Sequence, residues 1–174
     1  MATAFADAAP HRIIDVQDPE APIIRRFGRH GHHIGPDEAE SPWIPFGEGR
    51  AIRHLSFDVR NNANSNILWI KGPGVIGTHK HHGRIDMFCI EGTVRYLEYD
   101  WLATPGSVIY EAPGEAHTLV TDTGCKLLGY LQGTADYFDE NGKYTNTLDV
   151  FWFIDHYAKH CEANGIPLNQ KLFL

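Results

Sequence analysis

The sequence predicts an all-β fold. A small barrel of short strands spans 51–147, an N-terminal arm (1–50) precedes it, and a C-terminal helix and tail (148–174) follow. Three observations predict it. Strand-like stretches follow one another closely, separated by Gly, Pro and Asn turn signals. The apolar spacing switches to a helical period near the end of the chain. The 174 residues, 43% hydrophobic and 21% charged, suit one globular domain with its own core.

In order, the first 50 residues hold two short apolar runs, 12–16 (RIIDV) and 22–25 (PIIR), which read as edge strands or arms. Residues 8–10 read as a flexible end. His30, His32 and His33 sit among glycines, which predicts a solvated loop, with metal binding as the alternative use of a His-rich tract. Segment 41–46 (SPWIPF) has two prolines and two aromatics, and predicts a packed connection.

Strands are expected at 52–59, 67–71, 75–82, 85–91, 93–100, 107–111, 118–121 and 125–132. A polar turn is expected at 61–66, and others at Gly83, Glu91-Gly92, 104–106, Pro113-Gly114 and 122–124. Many short strands with such punctuation predict a sandwich or barrel. The helix spans 148–164, with Phe151, Ile154, Tyr157, Ala158 and Cys161 at helical spacing. Thr147 or Asp149 caps its start, and Gly165 followed by Pro167 stops it.

The formal net charge of −7 argues against a nucleic-acid partner. Three widely spaced cysteines give neither a CxxC pair nor a complete disulfide framework, which places the chain in a reducing cytoplasm. The first residues lack a basic segment and an apolar core, so no secretory signal is expected. No run of about 18 apolar residues predicts a membrane span.

The chemistry concentrates at 77–117. His79 and His81 lie two apart on a predicted strand, so their side chains share a face. A strand, a turn at Glu91-Gly92, more strand and a Pro113-Gly114 turn then lead to His117, which a barrel can bring beside them. A lone HxH is also ordinary polar strand sequence; HxH with a following PGxxH turn is much more specific. Imidazole suits iron, zinc, copper and nickel, and three protein ligands leave positions open for substrate.

These two pieces resemble the two motifs of the cupin superfamily. The first motif usually reads HxH, three or four residues, Glu, then Gly; here His79-Lys80-His81 is followed after four residues by Asp86, and then Gly92. The second keeps its spacing at Gly106, Gly114 and His117, with Pro113 shifted by one. Thr121 stands where asparagine is common. From about Trp69 onward, and most clearly at 91–101 and 110–119, the chain is similar to the 2,4'-dihydroxyacetophenone dioxygenase family, itself similar in ligand set to the acetylacetone-cleaving dioxygenase.

The resemblance implies a cupin double-stranded β-helix, or jelly-roll barrel, with Fe(II) held by His79, His81 and His117. Zinc, nickel or another divalent metal is the alternative in a purified sample. Asp86 takes the place of the usual glutamate, as a partner to a histidine N–H or as a fourth ligand. With Asp86 facing the metal across the turn after His81, Phe88 and Ile90 are expected inward with it and Met87 and Cys89 outward. Phe88, Tyr96, Glu98, Glu111 and Trp69 are further candidates for the pocket.

The implied activity is C–C cleavage beside a ketone by incorporation of both atoms of O2, converting 2,4'-dihydroxyacetophenone to 4-hydroxybenzoate and formate. The same centre acting on another β-dicarbonyl or hydroxyketone, and a metal- or ligand-sensing module without turnover, are the alternatives. A homodimer or higher homo-oligomer is expected, with the first 50 residues contributing to it.

Overall fold

Turn chemistry and alternation build two antiparallel sheets, described by a computed structural model over residues 19–27 and 31–174. The chain divides into two units, residues 1–31 and 32–174. The first contributes one short helix, α1 (Ala21–Phe27). Segment 22–25 therefore lies in a helix rather than in an edge strand, with Pro22 at its first turn, where the missing N–H costs nothing. The stretches 8–10 and 12–16, and His30, fall outside the described residues. His32 and His33 are exposed.

The second unit starts earlier than the predicted barrel. Arg53 donates to the carbonyls of Gly35, Asp37 and Ser41, tying that segment to the sheet. The packed connection includes a two-residue strand, β1 (Ile44–Pro45), with Ile44 buried. β2 (Arg50–Asp58), β3 (Ala63–Ile70), β5 (Ile85–Gly92), β7 (Val108–Glu111) and β9 (Cys125–Gln132) complete a sheet of order β1-β2-β3-β9-β5-β7. β4 (Gly74–His81), β6 (Arg95–Tyr96), β8 (Ala116–Thr121), β10 (Ala135–Phe138) and β11 (Tyr144–Leu148) form the second, of order β11-β10-β4-β8-β6. Inward residues of both sheets, among them Ile70, Ile76, Cys89, Leu119 and Leu127, make one core.

Gly92 shows why the turn at 91–92 needs glycine. Its φ is 72°, and a Cβ there would meet the Gly124 carbonyl oxygen at 1.9 Å. The expected strand at 93–100 shrinks to two residues. Beyond Tyr96 the backbone turns, and the Glu98 carboxylate takes the Thr118 N–H (2.8 Å). The turn expected at 61–66 is shorter too: Asn62 adopts φ 46° and Asp58 accepts the Asn61 N–H, after which β3 begins. β10 and β11 were not among the expected strands; they form a hairpin around Asp139–Gly142, where Asp139 accepts the N–H groups of Asn141 and Lys143.

The C-terminal helix is α2 (Val150–Asn164). Asp149 caps it by accepting the Trp152 N–H, and Gly165 (φ 64°) ends it by donating back to Cys161 and Glu162. Its buried face, Val150, Phe153, Tyr157 and Cys161, packs with Ile52 and Phe57 of β2. Among the described residues no helix is long and apolar enough to cross a membrane.

Candidate metal centre

His79 and His81 project from β4, and His117 pairs directly opposite His79 on β8. A register shift between Ile76 and His79 marks an irregularity at Gly77–Thr78. The Gly77 carbonyl there accepts a hydrogen bond from His79 Nδ1 (2.8 Å). That bond fixes the proton on Nδ1 and leaves the Nε2 lone pair for a ligand. Glu111, at the end of β7 in the facing sheet, completes the cluster. One ligand atom from each of His79, His81, Glu111 and His117 lies within 4.8 Å of the others, and all four residues are buried.

The cluster has the marks of a cation site. Glu111 Oε2 is 2.9 Å from His81 Nε2 and 3.3 Å from His117 Nε2. Yet Glu111 Oε2 and His117 Nε2 are both buried without an aligned hydrogen-bond partner. Buried polar atoms without partners cost free energy, and a cation among these donors would satisfy them. Three imidazole nitrogens and one carboxylate oxygen fit a divalent transition metal.

Electrostatics prepare the donors. Burial, then the neighbouring His81, lowers His79 to about 4, so its ring is neutral and free to ligate near neutral pH. Burial pushes the Glu111 carboxyl up, but the close approach of His117 and His81 outweighs it and holds the group below the usual carboxylate range. The carboxylate is thus an anion ready to balance a metal charge. Tyr96 donates its hydroxyl to Glu111 Oε1, and burial together with that anion raises the phenol well above its ordinary value. Tyr137 stacks on the His79 ring (5.1 Å, 17°), and burial pushes its phenol up to about 12.

The remaining candidates separate into those at the cluster and those away from it. Tyr96 and Glu111 are at it. Asp86 is not: Arg84 holds it in a two-pronged ion pair (2.7 and 3.0 Å) on the outer face of the sheet. The alternation along β5 runs opposite to the expected phase. Ile85 and Cys89 are buried and Met87 lines the interior, while Phe88 is 43% exposed and Ile90 points outward. Glu98 is exposed and holds the Thr118 backbone. The ammonium groups of Lys71 and Lys126 each lie 5.0 Å from the Trp69 ring, which packs edge-on to Trp43 (5.4 Å) and does not line the chamber. Tyr137 and Asn66 reach the interior without having been singled out in the sequence.

Beside the cluster is a chamber of about 70 Å³. Ile52, Leu68, Ile76, Met87, Leu119 and Leu127 supply most of its apolar wall. An outer cleft of about 460 Å³ shares Phe46, Ile76 and Tyr137 with it.

The fold recurs in solved structures. An RmlC-like cupin from Ralstonia eutropha JMP134 superposes with a TM-score of 0.74 at 23% identity, covering 78% of this chain and 90% of that one. The acetylacetone dioxygenase of Acinetobacter johnsonii does so with a TM-score of 0.68 at 15% identity, covering 75% and 93%. At these identities the likeness is one of fold. No curated protein matches the sequence. The family model of the ChrR cupin-like domain matches residues 26–134, well over half of the chain. The chain therefore belongs to the ChrR cupin-like domain family, and its two sheets are a cupin jelly-roll.

Proposed function

We propose that the chain is a metal-dependent dioxygenase that cleaves a carbon–carbon bond beside a ketone, with His79, His81 and His117 holding ferrous iron. One observation carries the reading: a buried cluster of three imidazoles and a carboxylate opens on an otherwise largely apolar chamber. The fold shared with the acetylacetone dioxygenase of Acinetobacter johnsonii supports it. The substrate class is an α-hydroxyketone or β-dicarbonyl, and the sequence resemblance makes 2,4'-dihydroxyacetophenone the first compound to test. With O2 it would give 4-hydroxybenzoate and formate, a balanced insertion of both oxygen atoms.

Bound iron would supply the redox chemistry and open positions for two substrate oxygens and dioxygen. The chain's own residues do the rest. The Gly77 carbonyl fixes the His79 ring by accepting its Nδ1 proton. Glu111 stays ionised and balances the cation, while Tyr96 keeps its proton on the hydroxyl that holds Glu111 in place. The aliphatic walls exclude water, which strengthens each electrostatic contact inside.

Glu111 also favours a second reading. If its carboxylate ligates beside the three histidines, four protein ligands close the site, as in structural zinc centres, and the chain is a metal- or ligand-sensing module. Oxygen uptake separates the two. Protein loaded anaerobically with Fe(II) is mixed with 2,4'-dihydroxyacetophenone or a β-diketone and then exposed to air. The dioxygenase reading expects uptake coupled to acid formation, lost with the metal in His117→Ala. Tight zinc in four-coordinate geometry by X-ray absorption, with no uptake by fully iron-loaded protein, supports the sensor instead.

A further inference from the structure

The chamber contains a polar group that the metal cluster does not use. Asn66 lies in the middle of β3, on the six-stranded sheet facing the two histidine-bearing strands. It is 4% exposed and lines the chamber. Among the described residues its carboxamide has no side-chain hydrogen bond. Neither inward neighbour along the row bonds to it. Across the register lie His54 on β2 and Gly129 on β9. His54 is fully buried with both ring nitrogens unpartnered. Gly129 has no side chain, and a Cβ there would come to 3.0 Å of Leu131 Cδ1 and 4.0 Å of Asn66 Oδ1. The amide is thus left facing the chamber.

We propose that Asn66 determines specificity in the chamber. Its carboxamide binds an oxygen function, a hydroxyl or a carbonyl, carried by the substrate away from the oxygens that face the metal. The substrate class is narrowed to a small ketone with an apolar body and a polar oxygen at its far end. A purely apolar wall would admit unsubstituted ketones equally well. A site built to hydrogen-bond an oxygen discriminates against the analogue that lacks it, because its own polar group is then left unpaired. The proposal rests on the ketone-binding reading of the site but not on turnover.

The test is therefore a binding measurement. The 174-residue chain is loaded with Zn(II), which has no redox chemistry with O2. Calorimetry then compares 2,4'-dihydroxyacetophenone with 2-hydroxyacetophenone, which lacks the ring hydroxyl. The wild type is expected to prefer the hydroxylated compound by about tenfold, the scale of one buried neutral hydrogen bond. Asn66→Leu, similar in volume and apolar, is expected to bring the ratio to about one, with metal content and melting temperature retained. A merely structural amide would move stability and leave the ratio alone. Asn66→Ala gives the same comparison if the leucine variant does not fold. Equal binding of the two compounds by wild type, binding of neither, or a preference that survives both substitutions overturns the proposal. Discrimination in zinc protein without oxygen uptake in iron protein would sink the dioxygenase reading alone. Uptake without discrimination would sink only the role of Asn66.

Discussion

Glu111 is the residue on which the centre turns. It touches two of the three histidines and takes the Tyr96 hydroxyl, from the sheet opposite the one that carries them. Glu111→Gln keeps the shape and removes the charge. Metal affinity is expected to fall about 10- to 100-fold, the usual cost of losing a carboxylate partner at such a site, in chelator competition. An unchanged affinity would mean that the carboxylate plays no part in holding the ion. Much of the centre was legible in the sequence. Parity within a single strand suffices to bring His79 and His81 to one face, and the PGxxH turn delivers His117. Asp86 shows where motif position misleads. It lies five residues past His81, so the parity that turns His79 and His81 inward also turns Ile85, Met87 and Cys89 inward and Asp86 outward, as the strand has it; only the place of the usual glutamate pointed Asp86 at the metal. Tyr137 was out of reach because the strand that carries it was not recognised; the Asn141-Gly142 pair between β10 and β11 was the missed hairpin signal.

At the scale of elements, α2 docks on β2 through a cluster of rings with His54 at its centre. His54 packs against Phe57 (4.9 Å), Phe153 (5.7 Å), Tyr157 (6.1 Å) and His156 (6.2 Å). Burial, then the charge of His156, lowers it from 6.5 to about 3. The folded state holds the ring neutral, while the unfolded chain takes up a proton once pH falls below about 6.5. Between about 6.5 and 3 the unfolded state binds the extra proton, so this contribution is full above that window and is lost as pH falls through it. From pH 7 to pH 5 the loss is about 2 kcal/mol. Urea unfolding at the two pH values measures it, and His54→Leu is expected to flatten the acid side by that amount. Equal slopes in wild type and variant would refute the assignment. The ends of the helix were readable because their signals are local: Asp149 before it and Gly165 after it. Asp149→Ala should lower stability by about 1 kcal/mol in thermal unfolding, since the Trp152 N–H loses its acceptor.

For the molecule as a whole, the six-stranded sheet has a second face that this unit does not cover. Phe88 pairs in register with Val108 on one side and Leu128 on the other, so three apolar side chains form a row across β7, β5 and β9. The next row places Tyr110 and Tyr130 on either side of Asp86. Val108 is 72% exposed and Tyr110 58%, and the other three apolar residues are each more than a third exposed. Soluble monomers seldom leave contiguous apolar patches larger than a few hundred Å² in water. The occupant we expect is a second copy, because the patch offers equivalent rows to a twofold partner and because closed twofold dimers are the commonest assemblies. The central Asp86 is already neutralised by Arg84, whose guanidinium also lies over the Tyr110 ring (5.4 Å), so pairing would bury no lone charge. Light scattering after size exclusion is expected to give twice the chain mass of 19.6 kDa. Leu128→Asp places a charge at one end of the row and should shift the mass to one chain without altering metal content, since the residue points away from the histidines. A monomeric wild type, or a dimer indifferent to Leu128→Asp and Val108→Asp alike, would remove this face from the assembly.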